Sequence, residues 1–493
     1  MANDGFDSIP RRLFLGGSAM ALIGASAAQA QTEPTPPQMP AGGKTLSRIL
    51  AEFTVGFDLK QAPPEVIERA RVAFIDTLGV MLAGSQEHIS AIVREMVKTE
   101  ASAPRATVVG SSLRASPQLA ALANGIAGHA MDYDFTFLSG QAVIAVIPAI
   151  LPVAEAVAAT PAEATAALIV GIEVSARIVR SNFYASLRAG WHTAGMVGVI
   201  GAAAACCRLM KLPVDAVENV LSQSVSLASG RSANFGTMTK PMHAGNAARN
   251  GVMATELGKN GFTALPAAFE HHSGYFSGFG RGLDVTYEPF TDLGKRWDIA
   301  GAGFRLKPFP CGGLTHSAIE ATLELRSRIG ARVADISGIH CAVTRNAGQR
   351  AGTQWPTTVE GAKFSVAYLV SYALIHGAPR IPAFTEEALK DEKVKALARM
   401  VSASIDPALG PGTNASPAIV KITFKDGLTV EQRRDYATGS SEVPMPQSQL
   451  EEKFMDCAVQ AVSADSAKKI LATLKGLPDQ RSFDEFWPLL RKA

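Results

Sequence analysis

From residue 46 to about residue 268, apolar side chains recur at three- and four-residue intervals broken by Gly and Pro, a spacing that predicts a mainly helical region. Pro63-Pro64 opens one helix in which Val66, Ile67, Ala70, Ala73, Phe74 and Leu78 share a face. Glu65 stands in its first turn, where the helix dipole favours an anion. The runs 142–159, 163–179 and 195–211 hold so much Ala, Val and Ile that they predict helices apolar on most sides, at the centre of a bundle. Pro148, Pro152, Glu173 and several glycines interrupt them, which argues against membrane spans. The pattern changes after about Gly303. Residues 335–345 and 418–424 are predicted strands; the second is followed by Asp426-Gly427 and a further strand over 429–436, as in a hairpin. Helical patterns at 314–329 and 359–376 lie between them, and helix returns from 447 to about 474 with Leu450, Phe454, Cys457 and Ala461 on one stripe. The expected fold class is mainly α with α+β. A large all-helical domain covers 45–303, a smaller inserted α+β lid domain covers 304–446, and C-terminal helices over 447–493 pack back on the helical domain.

The first 30 residues have a different texture. A polar start, Arg11-Arg12-Leu13-Phe14-Leu15, a mildly apolar stretch and Ala28-Gln29-Ala30 form the anatomy of a twin-arginine-type signal peptide, with cleavage expected after Ala30. Residues 31–44 are a Pro/Gly-rich spacer, so the folded part is expected to begin near Lys44. The expected location is the periplasm, with no stable membrane insertion once the signal is removed.

Composition narrows the partners. Across 493 residues, 47 Lys+Arg face 44 Asp+Glu, a balance too weak for electrostatic capture of DNA or RNA. Five cysteines, at 206, 207, 311, 341 and 457, show neither CxxC spacing nor an even-numbered disulfide framework. Cys206 and Cys207 sit in an Ala-rich run and are expected to be buried apolar residues.

Four polar clusters interrupt the apolar background. HAMDYDFTF (129–137) brings together His129, Asp132, Asp134 and Thr136, suited to acid–base work, to metal coordination or simply to helix capping. GWHTAG (190–195) places His192 at a small-residue helix start, for an anion or as a hydrogen-bonded buried histidine. GTMTKPMHAGNAARNG (236–251) places Lys240 on a constrained turn before Pro241 and His243, where an ammonium can hold a carboxylate. KPFPCGGLTH (307–316) fixes an irregular backbone between Lys307 and His316 at the domain change, a favoured place for a cleft.

These segments, with FIDTLGVMLAGS (74–85), ALANGIAGHAMDYD (121–134), GIEVSARI (171–178), SLASG (226–230) and AKFSVAYLVSYALIHG (362–377), resemble the MmgE/PrpD family over about residues 46–475. That family includes 2-methylcitrate dehydratases, cis-aconitate decarboxylases and an iminodisuccinate epimerase. The resemblance implies a homodimer, a helical domain with a smaller lid, and a cofactor-free site between them that moves a proton beside a carboxylate. By position Asp132, Thr136, His192, Lys240 and His316 match active-site positions of the family, and catalytic roles are expected for them; Lys240, Thr136, His243 and Lys307 are expected to bind substrate, with no metal. The chain departs from the family where a second consecutive Asp and Thr-His are usual: it has Asp134-Phe135-Thr136-Phe137, and SGQAV (139–143) replaces the usual His-Pro.

The expectation is therefore a cofactor-independent lyase, of dehydratase or decarboxylase type, or an isomerase, acting on a small carboxylic acid. Two aromatic rings at 135 and 137 suggest a drier pocket and a less charged acid. The missing Asp and His suggest an alternative, a non-catalytic or weakly catalytic periplasmic carboxylate-binding protein. A metallohydrolase built on His129, Asp132 and Asp134 is a third reading.

Overall fold

The spacer ends where helix formation becomes possible. In the computed structural model, which describes residues 43–138, 140–280, 285–412 and 415–492, Thr45 caps the helix Leu46–Gly56 by accepting the Arg48 N–H on its hydroxyl. The expected signal peptide and almost all of the spacer lie outside the described residues. The helix Pro64–Gly84 starts with proline at its first turn and is buried on nearly every side from Val72 onward. The three predicted central runs form Val146–Val157, Pro161–Arg188 and, after the short helix Thr193–Met196, Gly198–Leu209. Their apolar side chains merge into one core that extends from Leu46 to Leu306 and resumes from Leu450 to Leu490. Cys206 and Cys207 belong to that core, and all five cysteines are buried free thiols. Among the described residues no helix is long and apolar enough to cross a membrane.

Two helices of this core are held unusually close. A Cβ on Gly125 would lie 2.6 Å from the Gly245 Cα, and one on Gly245 would lie 2.4 Å from the Leu122 carbonyl oxygen. Glycine at both positions is what lets the helices Pro117–Ala130 and Thr239–Lys259 touch through their backbones. That contact brings the C-terminal end of one beside the first turn of the other.

A second core forms around a four-stranded sheet. Strand order is Val401–Ile405, Ile336–Val343, Ala418–Phe424, Thr429–Arg434. The last two pair antiparallel through the Asp426-Gly427 turn, where Gly427 has φ 84°. The helices His316–Ile329 and Val366–His376 cover one face with Ala318, Ala321, Leu325, Val366, Val370 and Leu374. The strand Val401–Ile405 has no counterpart in the sequence reading. It is short and partly polar, and it pairs in parallel with Ile336–Val343 across some 60 residues of chain, a register that only tertiary packing sets. The predicted helix over 359–376 is also broken, into Val359–Ala362 and Val366–His376.

The closing helices Gln447–Ala458 and Ala464–Lys475 return to the first core. Phe454 packs so tightly on Gly79 that a Cβ there would meet its ring at 3.0 Å.

Candidate active site

The helix Pro117–Ala130 ends just before the polar cluster, and its last turn is met by three ammoniums. Asp132 adopts the left-handed conformation with φ 50°, which Asp tolerates better than most residues and which turns its side chain back toward the helix end. Lys240, in the first turn of Thr239–Lys259, donates to Asp132 Oδ1 at 2.6 Å. Lys307 donates to the Asp132 carbonyl at 2.7 Å and lies 3.1 Å from Oδ1. Lys363, at the break between two helices, donates to the Ala130 carbonyl at 2.8 Å. Carbonyls at a helix C-terminus attract cations, so the backbone itself concentrates positive charge here.

The three lysines and Asp132 are all buried. Burial by itself would raise the Asp132 carboxyl, but the Lys240 and Lys307 ammoniums hold it well below the usual carboxylate range. It is a fixed negative charge between two fixed positive ones.

His316 opens the helix His316–Ile329, and its Nε2–H donates to the Cys311 carbonyl at 3.2 Å. Burial, then the Lys307 charge, push this imidazole down to about 3, so it is neutral. The bond through Nε2 fixes the tautomer and leaves the lone pair on Nδ1. The Phe309 ring stands edge-on to it at 5.5 Å and limits its rotation.

Asp132, Thr136, Lys240, Lys307 and His316 line one cavity of about 180 Å³. That is below the roughly 300–1,000 Å³ of clefts for drug-sized molecules, and suits a small metabolite. Arg305 and Arg350 line it as well, so four cations face the single carboxylate of Asp132. Asn346, Tyr436, Thr438 and Ser440 add hydrogen-bonding groups. The expectation of a drier pocket for a less charged acid is corrected here. Phe135 and Phe137 are buried in the helical core, Phe135 stacked on Phe304 at 4.5 Å, and neither ring lines the cavity. Alternation along the short strand Thr136–Phe137 points Thr136 into the cavity and the rings away from it.

His192 and His243, expected at the site, are not among the lining residues. They lie behind it, with their Nδ1 atoms 2.9 Å apart, one donating to the other. The His192 ring is stacked on that of His129 at 5.6 Å, and His129 Nδ1 is 2.9 Å from Asp134 Oδ1. His129, Asp132 and Asp134 offer ligand atoms within 4.8 Å of one another. Two ammoniums already engage Asp132, and their charge opposes a dication at the same carboxylate.

The buried imidazoles make stability depend on pH. Burial comes first among the causes that hold His129, His192, His243 and His316 below the ordinary histidine range, His243 at about 4. The unfolded chain therefore binds protons below about pH 6.5 that the folded chain refuses. Burial pushes Glu173 the other way, up to about 7, and Asp76 shifts upward with it. Burial raises Glu87 and Glu270 as well. Against these four carboxyls stand four imidazoles that the unfolded chain protonates across the whole interval, and the melting temperature is expected to fall between pH 7 and pH 5 at constant ionic strength. A flat or rising profile would show that the imidazoles are not buried as neutral groups.

Several site residues escaped the sequence reading. Lys453, fully enclosed on the helix Gln447–Ala458, donates to Asp76 Oδ1 at 2.6 Å, to the Tyr133 carbonyl at 2.8 Å and to the Lys307 carbonyl at 3.0 Å. Asp76 Oδ2 accepts the Phe135 N–H at 2.9 Å. This pair ties the 132–135 turn and the backbone of Lys307 to the C-terminal helix. The available signal was a lone charge inside an apolar face: Asp76 within FIDTLGV, and Lys453 beside Leu450, Phe454 and Cys457. Lys363, Arg305 and Arg350 carried no comparable signal.

Comparison with known proteins agrees with this geometry. The MmgE/PrpD N-terminal domain matches residues 48–288 and the MmgE/PrpD C-terminal domain matches residues 309–477. The chain is 27% identical to the cis-aconitate decarboxylase of Homo sapiens over 461 residues, covering 91% of this chain and 95% of the human protein. It is 26% identical to a cis-aconitate decarboxylase of Aspergillus terreus over 441 residues, 84% of this chain and 89% of that protein. With both domains matched in order, and with the helical core and the sheet-bearing core meeting at one cation-rich cavity, the chain belongs to the MmgE/PrpD family.

Proposed function

We propose that this protein is a cofactor-independent lyase that builds negative charge on a carbon beside a carboxylate of a small di- or tricarboxylic acid, either by removing a proton there and expelling hydroxide as water, or by releasing carbon dioxide and then adding a proton to carbon. The observation that carries the reading is one small cavity in which four cations, one fixed carboxylate and one neutral, tautomer-locked imidazole converge. Lys240 and Lys307 draw the substrate carboxylate and stabilise the negative charge that develops beside it when the proton leaves. On the dehydration route His316 Nδ1 receives that proton and returns it to the departing hydroxide, which leaves as water; on the decarboxylation route carbon dioxide leaves instead, and the protonated Nδ1 gives its proton to the carbon that holds the charge. Burial, the first cause of the low basicity of His316, remains when substrate binds, while the charge of a bound polycarboxylate offsets that of Lys307 and moves the imidazole upward. Thr136 and Asp132 orient the acid and the lysines. The names of the relatives support a decarboxylase and make cis-aconitate the first substrate to test.

The experiment is incubation of the mature chain with cis-aconitate and a panel of di- and tricarboxylates, followed by product analysis. Conversion is expected for at least one acid, and His316→Ala is expected to lower turnover by about 10²–10⁴. Stabilisation by an acid that is never converted would favour the carboxylate-binding alternative, which the absence of the usual second Asp and following His motivates. Neither binding nor conversion would remove the reading.

The reading includes export by the twin-arginine route, cleavage after Ala30 and action in the periplasm as a homodimer. The signal anatomy of residues 1–30 supports the first part. Exposed Met238, Met242, Leu257, Phe262 and Leu265, clustered in one stretch of chain, support the second.

A further inference from the structure

We propose that Arg350 and Arg305 form the specificity subsite of this cavity, gripping a carboxylate of the substrate that takes no part in the reaction. The inference rests on the reading of the substrate as a small polycarboxylate and adds which groups select it. Arg350 closes the short helix Arg345–Arg350 of the sheet-bearing core and lines the cavity while still reaching solvent. Its Cζ lies 5.8 Å from the centroid of the Phe235 ring, and Lys240 Nζ lies 5.9 Å from the same centroid. One aromatic ring thus lies within about 6 Å of both the guanidinium and the ammonium that faces Asp132. Arg305 enters from the opposite segment: it is the direct ladder partner of Thr136 in the antiparallel pair Thr136–Phe137 and Phe304–Arg305.

Neither guanidinium has a carboxylate within 4.0 Å among the described residues, and the buried Arg305 Nε has no hydrogen-bond partner there; the exposed Glu442 acts on Arg305 from beyond that distance. Other arginines find different partners: Arg177 meets Glu173, Asp292 and Asp298, Arg434 meets Glu320 and Glu324, and Arg208 donates to the Val55 and Phe57 carbonyls. What sets Arg305 and Arg350 apart is that both guanidiniums line one small cavity with no carboxylate within 4.0 Å among the described residues. A planar fork of N–H donors matches a carboxylate in two parallel hydrogen bonds, which an ammonium cannot reproduce. Lys240 and Lys307 share Asp132 and face the reacting carboxylate, whereas the arginines are placed to take a second one. Because Arg350 belongs to the sheet-bearing core and Lys240 to the helical core, a polycarboxylate spans both, and a monocarboxylate does not.

The test uses the full mature chain and its Arg350→Met, Arg305→Met and Arg350→Lys variants, with tricarballylate as a non-reactive tricarboxylate probe and crotonate as a monocarboxylate control. Thermal shift and calorimetry are expected to show tricarballylate binding weakened about 10- to 100-fold in Arg350→Met and in Arg305→Met, the loss of hydrogen bonds to a charged group. Arg350→Lys should restore only part of it, and crotonate should distinguish none of the variants. For an acid that is converted, KM should rise by a similar factor while kcat stays within about threefold. Tricarballylate binding to both methionine variants as to wild type would overturn the subsite, as would wild type that does not bind it at all. Wild type that binds tricarballylate in an arginine-dependent way yet converts no acid would leave the subsite standing and remove the lyase reading.

Discussion

Lys240→Met is expected to slow turnover by about 10²–10³, the loss that follows removal of one preorganised donor from a site where charge develops. Methionine keeps the length and apolar stem of the side chain, so contact with the Phe235 and Phe364 rings, whose centroids lie 5.9 and 6.0 Å from Nζ, is preserved. What disappears is the charge 2.6 Å from Asp132. Asp132 then keeps Lys307 at 3.1 Å and the Gln141 amide at 3.5 Å, and burial, the largest influence on it, moves its carboxyl upward. The acid limb of the activity profile should move to higher pH in the variant. Lys240→Arg should not rescue, because a planar guanidinium cannot occupy a point-charge site enclosed on both sides by rings. Steady-state kinetics across pH with the best acid from the substrate panel check this, alongside circular dichroism of the folded chain. Turnover within fivefold of wild type would mean that Lys240 only fills space.

The second large effect is expected at a residue that touches no substrate. Lys453→Met should destabilise the chain by about 3–5 kcal/mol, the cost of leaving one member of a buried ion pair without its partner. Asp76, 2.6 Å away, would be left enclosed with only the Phe135 N–H to satisfy it. Adding Asp76→Asn should restore a good part of that stability, because the double variant no longer buries an unpaired charge, and a double-mutant cycle in urea gives the coupling. Turnover should not return with it. The ammonium also holds the carbonyls of Tyr133 and Lys307, which set the positions of Asp132 and of the Lys307 side chain. A double variant that recovers both stability and activity would reduce the pair to a packing device.

Much of this architecture was legible before any fold was known, for local reasons. The proline-led helix from Pro64, the hairpin around Asp426-Gly427 and the stripe Leu450, Phe454, Cys457 each follow from periodicity and turn chemistry within a few residues. The edge strand Val401–Ile405 was not legible, because its parallel partner is distant and its own pattern is weak. At the site, residue type was informative and direction was not. Phe135 and Phe137 looked like pocket walls, yet the extended backbone sends both into the core and Thr136 to the cavity. His192 looked like a base and His243 like a substrate-binding group, yet they bond to one another and neither lines the cavity.

Taken alone, the order of residues settled the family, the alternation of helical and sheet-bearing segments, and the presence of lysine, histidine and aspartate in segments too constrained to be ordinary surface. Only the folded chain decided which of them share a space. Glycine against glycine brings two helices together so that Lys240 reaches Asp132, a helix end gathers three ammoniums, and a lysine from the last helices fastens the whole arrangement. The physical reason is range. Hydrophobic period and turn preference act over a few positions of chain, whereas the energy of a buried charge depends on every group that surrounds it, wherever along the chain that group began.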